Sequence, residues 1–164
     1  MNYIGFSKYD TANGPGVRVS LFVSGCTVHC KGCFNQESWD FAAGKPFTDE
    51  TTAAILKALD NPYVAGFSLL GGDPFKPEHE ATLVKLLAAV KTRFPERTVW
   101  AWTGRVFDKV KASPLLGYID VLVDGPFVEK KKVTEQGLWY GSTNQRVLKI
   151  VPDAAGCRAE PTAA

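Results

Sequence analysis

Alternation of apolar and polar residues marks five short segments of the chain as strands. Residues 17–23 place β-branched or apolar side chains at each odd position, the period-two pattern of a strand. The apolar run at 66–70 stops at two glycines, which indicates a buried strand. Residues 98–102, 119–123 and 146–150 show the same composition, so we expect three further strands there.

Between these strands lie segments with the spacing of helices. Residues 51–59 predict one helix, and residues 105–111 predict a shorter one. Pro77 opens a third, with acidic residues in its first turn and His79 expected at the solvent surface. Its core-facing stripe is Leu83, Leu86, Leu87, Val90 and Phe94. Strands that alternate with helices predict an α/β fold with a mostly parallel sheet and right-handed crossovers.

The length and composition predict one domain. With 164 residues, 45% of them hydrophobic, the chain can bury a core. We expect a single domain over 1–152 and a flexible tail over 153–164. A closed (β/α)₈ barrel needs about 250 residues, so only a partial, open barrel would fit.

Charge and targeting signals narrow the class of partner. The formal net charge is only +2, so neither nucleic acid nor an acidic membrane is an expected partner. The basic run Lys130–Lys132 is interpreted first as a solvated loop, with a docking site for an acidic partner as the alternative. Residues 1–8 lack a secretion signal, and no apolar stretch reaches the ~18 residues needed to span a bilayer. We therefore expect a cytoplasmic protein with reduced thiols.

Glycine-rich or polar clusters follow four of the predicted strands directly. They are 24–26, 71–74, 103–104 and 124–126. The carboxyl ends of parallel strands share one edge of a sheet, where ligands bind. The cluster at 24–26 and the one at 71–74 should therefore be neighbours in space.

Three cysteines lie within eight residues, at Cys26, Cys30 and Cys33. Thiolates at this density indicate a metal or redox site, and three ligands to a [4Fe–4S] cluster would leave one iron open. Zinc is the alternative, with His29 or Cys157 as a fourth ligand. Spacing alone leaves both metals open.

The CxxxCxxC spacing resembles the defining motif of the radical S-adenosylmethionine (SAM) superfamily. The match continues in segments similar to the glycyl-radical activating enzymes, and above all to the activating proteins of anaerobic (class III) ribonucleoside-triphosphate reductases. These segments are GPGVR at 14–18, LFVSGC at 21–26, CFN at 33–35, GGDP at 71–74, WTG at 102–104, VLVDG at 121–125 and GSTNQR at 141–146.

That resemblance implies a radical SAM type of partial TIM-like barrel and a set of cofactor contacts. One [4Fe–4S] cluster would be held by the three cysteines, and SAM would chelate its open iron. Gly71, Gly72 and Asp73 match the segment that binds the methionine amino group of SAM. Gly32, Cys33 and Phe34 match the stretch that contacts the adenosyl group. Many members carry an aromatic residue directly before the third cysteine, whereas this chain has Gly32 at that position.

The resemblance also implies a reaction and two protein partners. Reductive cleavage of SAM would give a 5′-deoxyadenosyl radical, which takes hydrogen from a glycine of the reductase large subunit and leaves a glycyl radical. This is an oxidoreductase activity, and the electron donor would be a protein such as flavodoxin. The alternatives are an activator of pyruvate formate-lyase, a radical SAM enzyme for a small molecule such as a deazapurine synthase, and a non-enzymatic zinc or electron-transfer module.

Three polar residues on the same predicted edge have two interpretations each. Thr103, Asp124 and Asn144 follow or face the strand ends, where they could contact SAM or the partner. Each could equally cap a helix or hold a turn. The sequence does not decide between these roles.

Overall fold

The structure is a computed structural model that describes residues 1–135, 137–154 and 156–162. Its strands are β1 (Asn2–Asp10), β2 (Val17–Val23), β3 (Lys45–Pro46), β4 (Val64–Gly71), β5 (Thr98–Trp102), β6 (Val121–Asp124), β7 (Arg146–Asp153) and β8 (Gly156–Pro161). The α-helices are α1 (Asp49–Leu59) and α2 (Pro77–Arg93). Short 3₁₀ turns occupy Gln36–Ser38, Phe107–Lys109, Pro114–Tyr118 and Glu129–Lys131.

All eight strands form one sheet in the order β3-β1-β2-β4-β5-β6-β7-β8. The pairs β2–β4, β4–β5 and β5–β6 are parallel, and the other four pairs are antiparallel. The α/β class is confirmed, but the prediction of a mostly parallel sheet is wrong outside the central four strands. The strands β1, β3 and β8, which the sequence pattern did not reveal, add three antiparallel pairs, and β7, which was predicted as a strand, pairs with β6 in the antiparallel direction. The sheet ends at β3 and β8 and is not a closed barrel.

The first residues of both long helices have recognisable start signals, a capping box in α1 and a proline in α2. Thr48 precedes α1, and its hydroxyl accepts a hydrogen bond from the Thr51 amide while the Thr51 hydroxyl accepts one from the Thr48 amide. Pro77 is the first residue of α2, as predicted. The helix expected over 105–111 is wrong in type, because only the 3₁₀ turn Phe107–Lys109 forms there. A segment this short cannot nucleate an α-helix without strong packing.

The two faces of the sheet bury different apolar clusters. Val99 and Ala101 of β5 belong to the main core with α1 and α2, whereas Trp100 lies on the opposite face. This follows from the strand period, which sends successive side chains to opposite faces. The second face carries a smaller cluster of Trp100, Trp102, Val121, Val123, Trp139, Tyr140 and Val147. The cavity described below opens on that face.

Two expectations at the surface are corrected by the structure. Residues 156–161, expected in a flexible tail, form β8 and pair with β7 from Leu148 to Asp153. His79, expected in solvent, is 1% exposed, and its Nδ1 lies 3.0 Å from the Asp73 carbonyl oxygen. Burial lowers the pKa of His79, which keeps the ring neutral. Within the described chain, the helices lack the length and apolar character of a bilayer-spanning segment.

Candidate functional site

One cavity of about 460 Å³ lies at the carboxyl ends of the central strands. Cys26, Cys30 and Cys33 all line it, together with Gly71 and Gly72 at the end of β4. The ends of β5 and β6 complete this wall with Trp102, Thr103, Gly104 and Gly125. The structure thus brings together the clusters whose proximity was inferred from strand order.

Main-chain hydrogen bonds fix the start of the cysteine loop. The amide of Gly25 donates to the Ser38 carbonyl oxygen at 2.7 Å, and the amide of Cys26 donates to that of Trp39 at 3.0 Å. Gly25 has φ +107°, and a Cβ there would collide with the ring of Phe41. Only glycine fits this position without strain, so the cysteines leave β2 in a defined direction.

Main-chain amides lie close to two of the three cysteine sulfurs, while burial opposes ionisation of the third. The Val28 amide lies 3.4 Å from Cys26 Sγ, and the Asn35 amide lies 3.4 Å from Cys33 Sγ. Burial raises the pKa of Cys30, and the nearby Cys33 and Cys26 add to that effect. Three sulfurs that repel one another as thiolates gain from a shared cation, and iron–sulfur clusters accept such N–H···S bonds. This donor set fits a cluster with three protein ligands.

The two residues considered as a fourth zinc ligand have other surroundings. His29 adopts φ +51° and stacks on Trp39, with ring centroids 4.5 Å apart. Cys157 lies on β8, five places from β2 in the strand order, and packs against the main core. Among the described residues, no three His, Cys, Asp or Glu side chains are placed to hold a single metal ion.

Gly71 and Gly72 have a structural requirement as well as a place in the cavity wall. Gly71 has φ +106°, and its Cβ would lie 2.6 Å from the backbone nitrogen and oxygen of Val23. The amide of Gly72 donates to the Val23 carbonyl oxygen at 2.7 Å. The end of β4 therefore lies directly against the start of the cysteine loop, with its main chain facing the cavity.

Asp73 points away from the direction expected for a cofactor contact. Its side chain is fully buried, and Oδ1 accepts hydrogen bonds from the Thr103 hydroxyl at 2.9 Å and the Phe75 amide at 3.1 Å. Arg105 Nε lies 2.8 Å from Asp73 Oδ2. The carboxylate thus joins the ends of β4 and β5, so Asp73 positions the wall. Thr103 lines the cavity and is oriented by this bond.

Phe34 lies at the mouth of the cavity, whereas Gly32 is not among the residues that line the cavity. Gly32 has φ +72°, and a Cβ there would be 2.9 Å from Glu129 Oε1. Phe34 lines the cavity yet is 63% exposed, and its ring centroid is 5.1 Å from that of Phe127. Phe34 is therefore an aromatic residue on the open side of the cavity rather than part of the core.

The segment between β6 and β7 supplies the wall that sequence reasoning missed. Its lining residues are Phe127, Val133, Glu135, Leu138, Trp139, Tyr140, Gly141 and Gln145. They lack a strand or helix period, so only the GSTNQR resemblance marked the segment as important. Gln145 explains that motif. Its Oε1 accepts from the amides of Gly141 and Ser142, and its Nε2 donates to the Gly125 carbonyl oxygen at 2.9 Å.

Asp124 and Asn144 hold this segment rather than face the cavity. Asp124 is 1% exposed, accepts from the Phe107 amide at 2.6 Å, and binds the guanidinium of Arg146 with both oxygens. Asn144 Nδ2 donates to the Pro126 carbonyl oxygen at 2.8 Å. The turn-holding interpretation therefore accounts for both side chains. The strong Asp124 bond also raises the pKa of Arg146.

Comparison with known proteins shows which family the sequence matches. A family model described as a 4Fe-4S single cluster domain matches residues 12–148. The anaerobic ribonucleoside-triphosphate reductase-activating protein of Enterobacteria phage T4 is 41% identical over 147 residues, covering 90% of this chain and 93% of that protein. The chain belongs to this family of reductase-activating proteins. Members with the same name from Pasteurella multocida (42% identical, 92% and 98% covered) and Escherichia coli K12 (38% identical, 90% and 97% covered) agree.

The matched family model gives the chain its cofactor class, a single 4Fe–4S cluster. The matched 4Fe-4S domain spans the cysteine loop, the Gly71–Gly72 turn and the GSTNQR segment. These are the three parts of the chain that the cavity joins.

Proposed function

We propose that this chain activates an anaerobic ribonucleoside-triphosphate reductase by generating a glycyl radical on the reductase. The observation that carries the proposal is the joint placement of Cys26, Cys30 and Cys33 in one cavity that opens at Phe34. Relatives that align over nine-tenths of the chain bear the name of such an activator.

The residues present fit a [4Fe–4S] cluster and SAM. Cys26, Cys30 and Cys33 would hold the cluster, and the main chain at Gly71 and Gly72 would bind the polar end of SAM. When bound, these two groups supply one-electron chemistry that ends in removal of a hydrogen atom from the substrate glycine. Phe34, at the mouth, and Gly32, directly before Cys33, would contact the adenosyl group. Asp73 would act through its hydrogen bond with Thr103 and its ion pair with Arg105, which shape the wall.

The chain contributes enclosure and orientation rather than a general acid or base. Trp102 Nε1 donates to the Trp139 carbonyl oxygen at 2.8 Å, which draws the segment after β6 over the cavity. Trp139 and Tyr140 give that wall its apolar surface. Radical chemistry requires such exclusion of water and of side reactions. The side at Phe34 stays open, and a glycine-bearing loop of a protein would enter there.

The proposal also covers the type of barrel, the extent of the domain, the cellular location and the electron donor. The central parallel strands would form part of a TIM-like barrel of the radical SAM type, in one domain that extends past the expected boundary at 152 and includes β8. The protein would act in the cytoplasm and take electrons from a protein such as flavodoxin.

The test is to mix the anaerobically reconstituted, reduced chain with SAM and an authentic anaerobic reductase. We expect a glycyl radical in the electron paramagnetic resonance (EPR) spectrum and a gain of reductase activity. A radical on pyruvate formate-lyase but not on the reductase would move the assignment to the other activating enzyme. Metal analysis should give about four irons per chain. Stoichiometric zinc with no SAM cleavage would instead identify a non-enzymatic module.

A further inference from the structure

Two separate parts of the chain that meet beside the mouth of the cavity carry four lysines. Lys31 comes from the cysteine loop and its side chain is 91% exposed. The exposed Lys130, Lys131 and Lys132 come from the 3₁₀ turn after β6 and the residue that follows it. We call these four lysines, together with Phe34, the mouth surface.

Contacts between the two parts show that the mouth surface is continuous. Lys132 Nζ lies 5.0 Å from the centroid of the Phe34 ring. Lys31 Nζ lies 3.7 Å from Glu129 Oε2, and the same carboxylate abuts Gly32. The segment that carries Lys130, Lys131 and Lys132 therefore contacts the loop that carries the cysteines.

The charge of the mouth surface is concentrated compared with that of the whole chain. Four lysines here face two glutamates, Glu129, which pairs with Lys31, and Glu135 of the cavity wall, so an excess of positive charge remains in one small area of a chain whose formal net charge is only +2. A local excess of one sign beside a cavity attracts partners of the opposite sign and speeds their association. The basic run at 130–132 thus differs from an ordinary solvated loop, because Lys31 and an exposed aromatic ring extend it to the cavity.

Phe34 gives the mouth surface an apolar centre. It is 63% exposed although it packs against Phe127 inside the cavity. An exposed aromatic ring with a charged side chain beside it fits the arrangement of an apolar centre and a polar rim that protein-binding surfaces show. A free metabolite would need enclosure, whereas an extended polypeptide can contact Phe34 with an apolar side chain and the lysines with carboxylates.

We propose that the mouth surface binds an acidic stretch of the reductase polypeptide and so guides the adjacent glycine into the cavity. This inference rests on the proposed function and names the chemistry by which the partner is recognised. The lysines act on association, since they lie outside the cavity wall. The expected result of removing them is weaker binding of the reductase with unchanged chemistry once the complex has formed.

The experiment compares two variants of the full, reconstituted chain. In the first, Lys31, Lys130, Lys131 and Lys132 are replaced by Gln. The matched control carries Gln at four exposed lysines elsewhere on the molecule, namely Lys8, Lys57, Lys109 and Lys111. Both variants lose the same formal charge. Glycyl radical formation on the reductase is followed by EPR against reductase concentration, with dithionite as reductant, at low and high salt.

We expect KM for the reductase to rise about tenfold or more in the mouth variant at low salt, with kcat and reductase-independent SAM cleavage unchanged. The wild-type advantage should shrink at high salt, and the control variant should behave as the wild type. Equal KM values for the two variants would overturn the inference. So would a defect that appears only when a protein electron donor replaces dithionite, because the surface would then serve that donor. Absence of a radical with the wild type would instead contradict the proposed function itself.

Discussion

Substitution of Arg18, the last residue of the GPGVR segment, tests whether that motif stabilises the strands below the cavity. The side chain is fully buried between three strands. Its Nε donates to the Ser68 hydroxyl at 2.6 Å, and its Nη2 donates to the carbonyl oxygens of Phe67 and Thr98, each at 2.8 Å. Burial lowers the pKa of Arg18 to about 10, so the guanidinium remains charged at neutral pH.

Replacement of Arg18 by Met removes these donors while keeping a similar length. At least two buried acceptors would lose their partner, and each costs about 1–3 kcal/mol. We therefore expect a loss of about 4 kcal/mol in the free energy of unfolding, relieved only partly by removal of a desolvated charge. For a chain of this size, that corresponds to a fall in Tm on the order of 10 °C. The stability of Arg18→Lys should lie between that of the wild type and that of Arg18→Met, since an ammonium has three donors and the guanidinium has five.

The assay is thermal and urea unfolding of the wild type and of each variant, all in the same cofactor state. Tryptophan fluorescence is a suitable signal, because the Trp100 ring lies 5.8 Å from the Arg18 guanidinium carbon. Arg93→Met is the control, since Arg93 is 52% exposed and pairs with Asp60 on the surface. That pair should contribute at most about 1 kcal/mol. A loss below about 1 kcal/mol for Arg18→Met would refute the reasoning from buried acceptors.

Further substitutions test the wall of the cavity. Gly71→Ala should lower the unfolding midpoint strongly, because a Cβ would lie 2.6 Å from the Val23 backbone at φ +106°, while Gly117→Ala, which meets open space, should change it little. An equal response of the two glycines would contradict the close-approach argument. Asp124→Asn should destabilise by about 2 kcal/mol through weaker bonding to Arg146, and should expose residues 125–145 to protease first. Cleavage elsewhere before that segment would contradict the anchoring role.

The central part of the fold could be predicted because its signals are local. β2 and β5 have the bounds that alternation gave, Val17–Val23 and Thr98–Trp102, and α2 begins at Pro77. The outer strands could not be predicted in the same way. β1 and β8 lie toward the edges of the sheet, where half-exposed residues blur the period-two pattern.

The site shows the same division between local and distant signals. Cysteine spacing and strand order predicted that one group of residues would lie close together. All five of these residues line one cavity, namely Cys26, Cys30, Cys33, Gly71 and Gly72. The direction of the Asp73 carboxylate depended on Thr103 and Arg105, thirty residues away, and no sequence period carries that information. The wall after β6 is irregular, so its lining residues emerged only from the folded chain.

The most direct test of the account is EPR of the activated reductase made with glycine deuterated at Cα. We expect the radical that forms with the reduced chain and SAM to lose most of the splitting caused by the remaining Cα proton. Substituting Cys26, Cys30 or Cys33 by Ser should abolish the signal, while Cys157→Ser should retain it. An unchanged splitting would place the radical on another residue. Absence of any radical on an authentic reductase would contradict the proposed function.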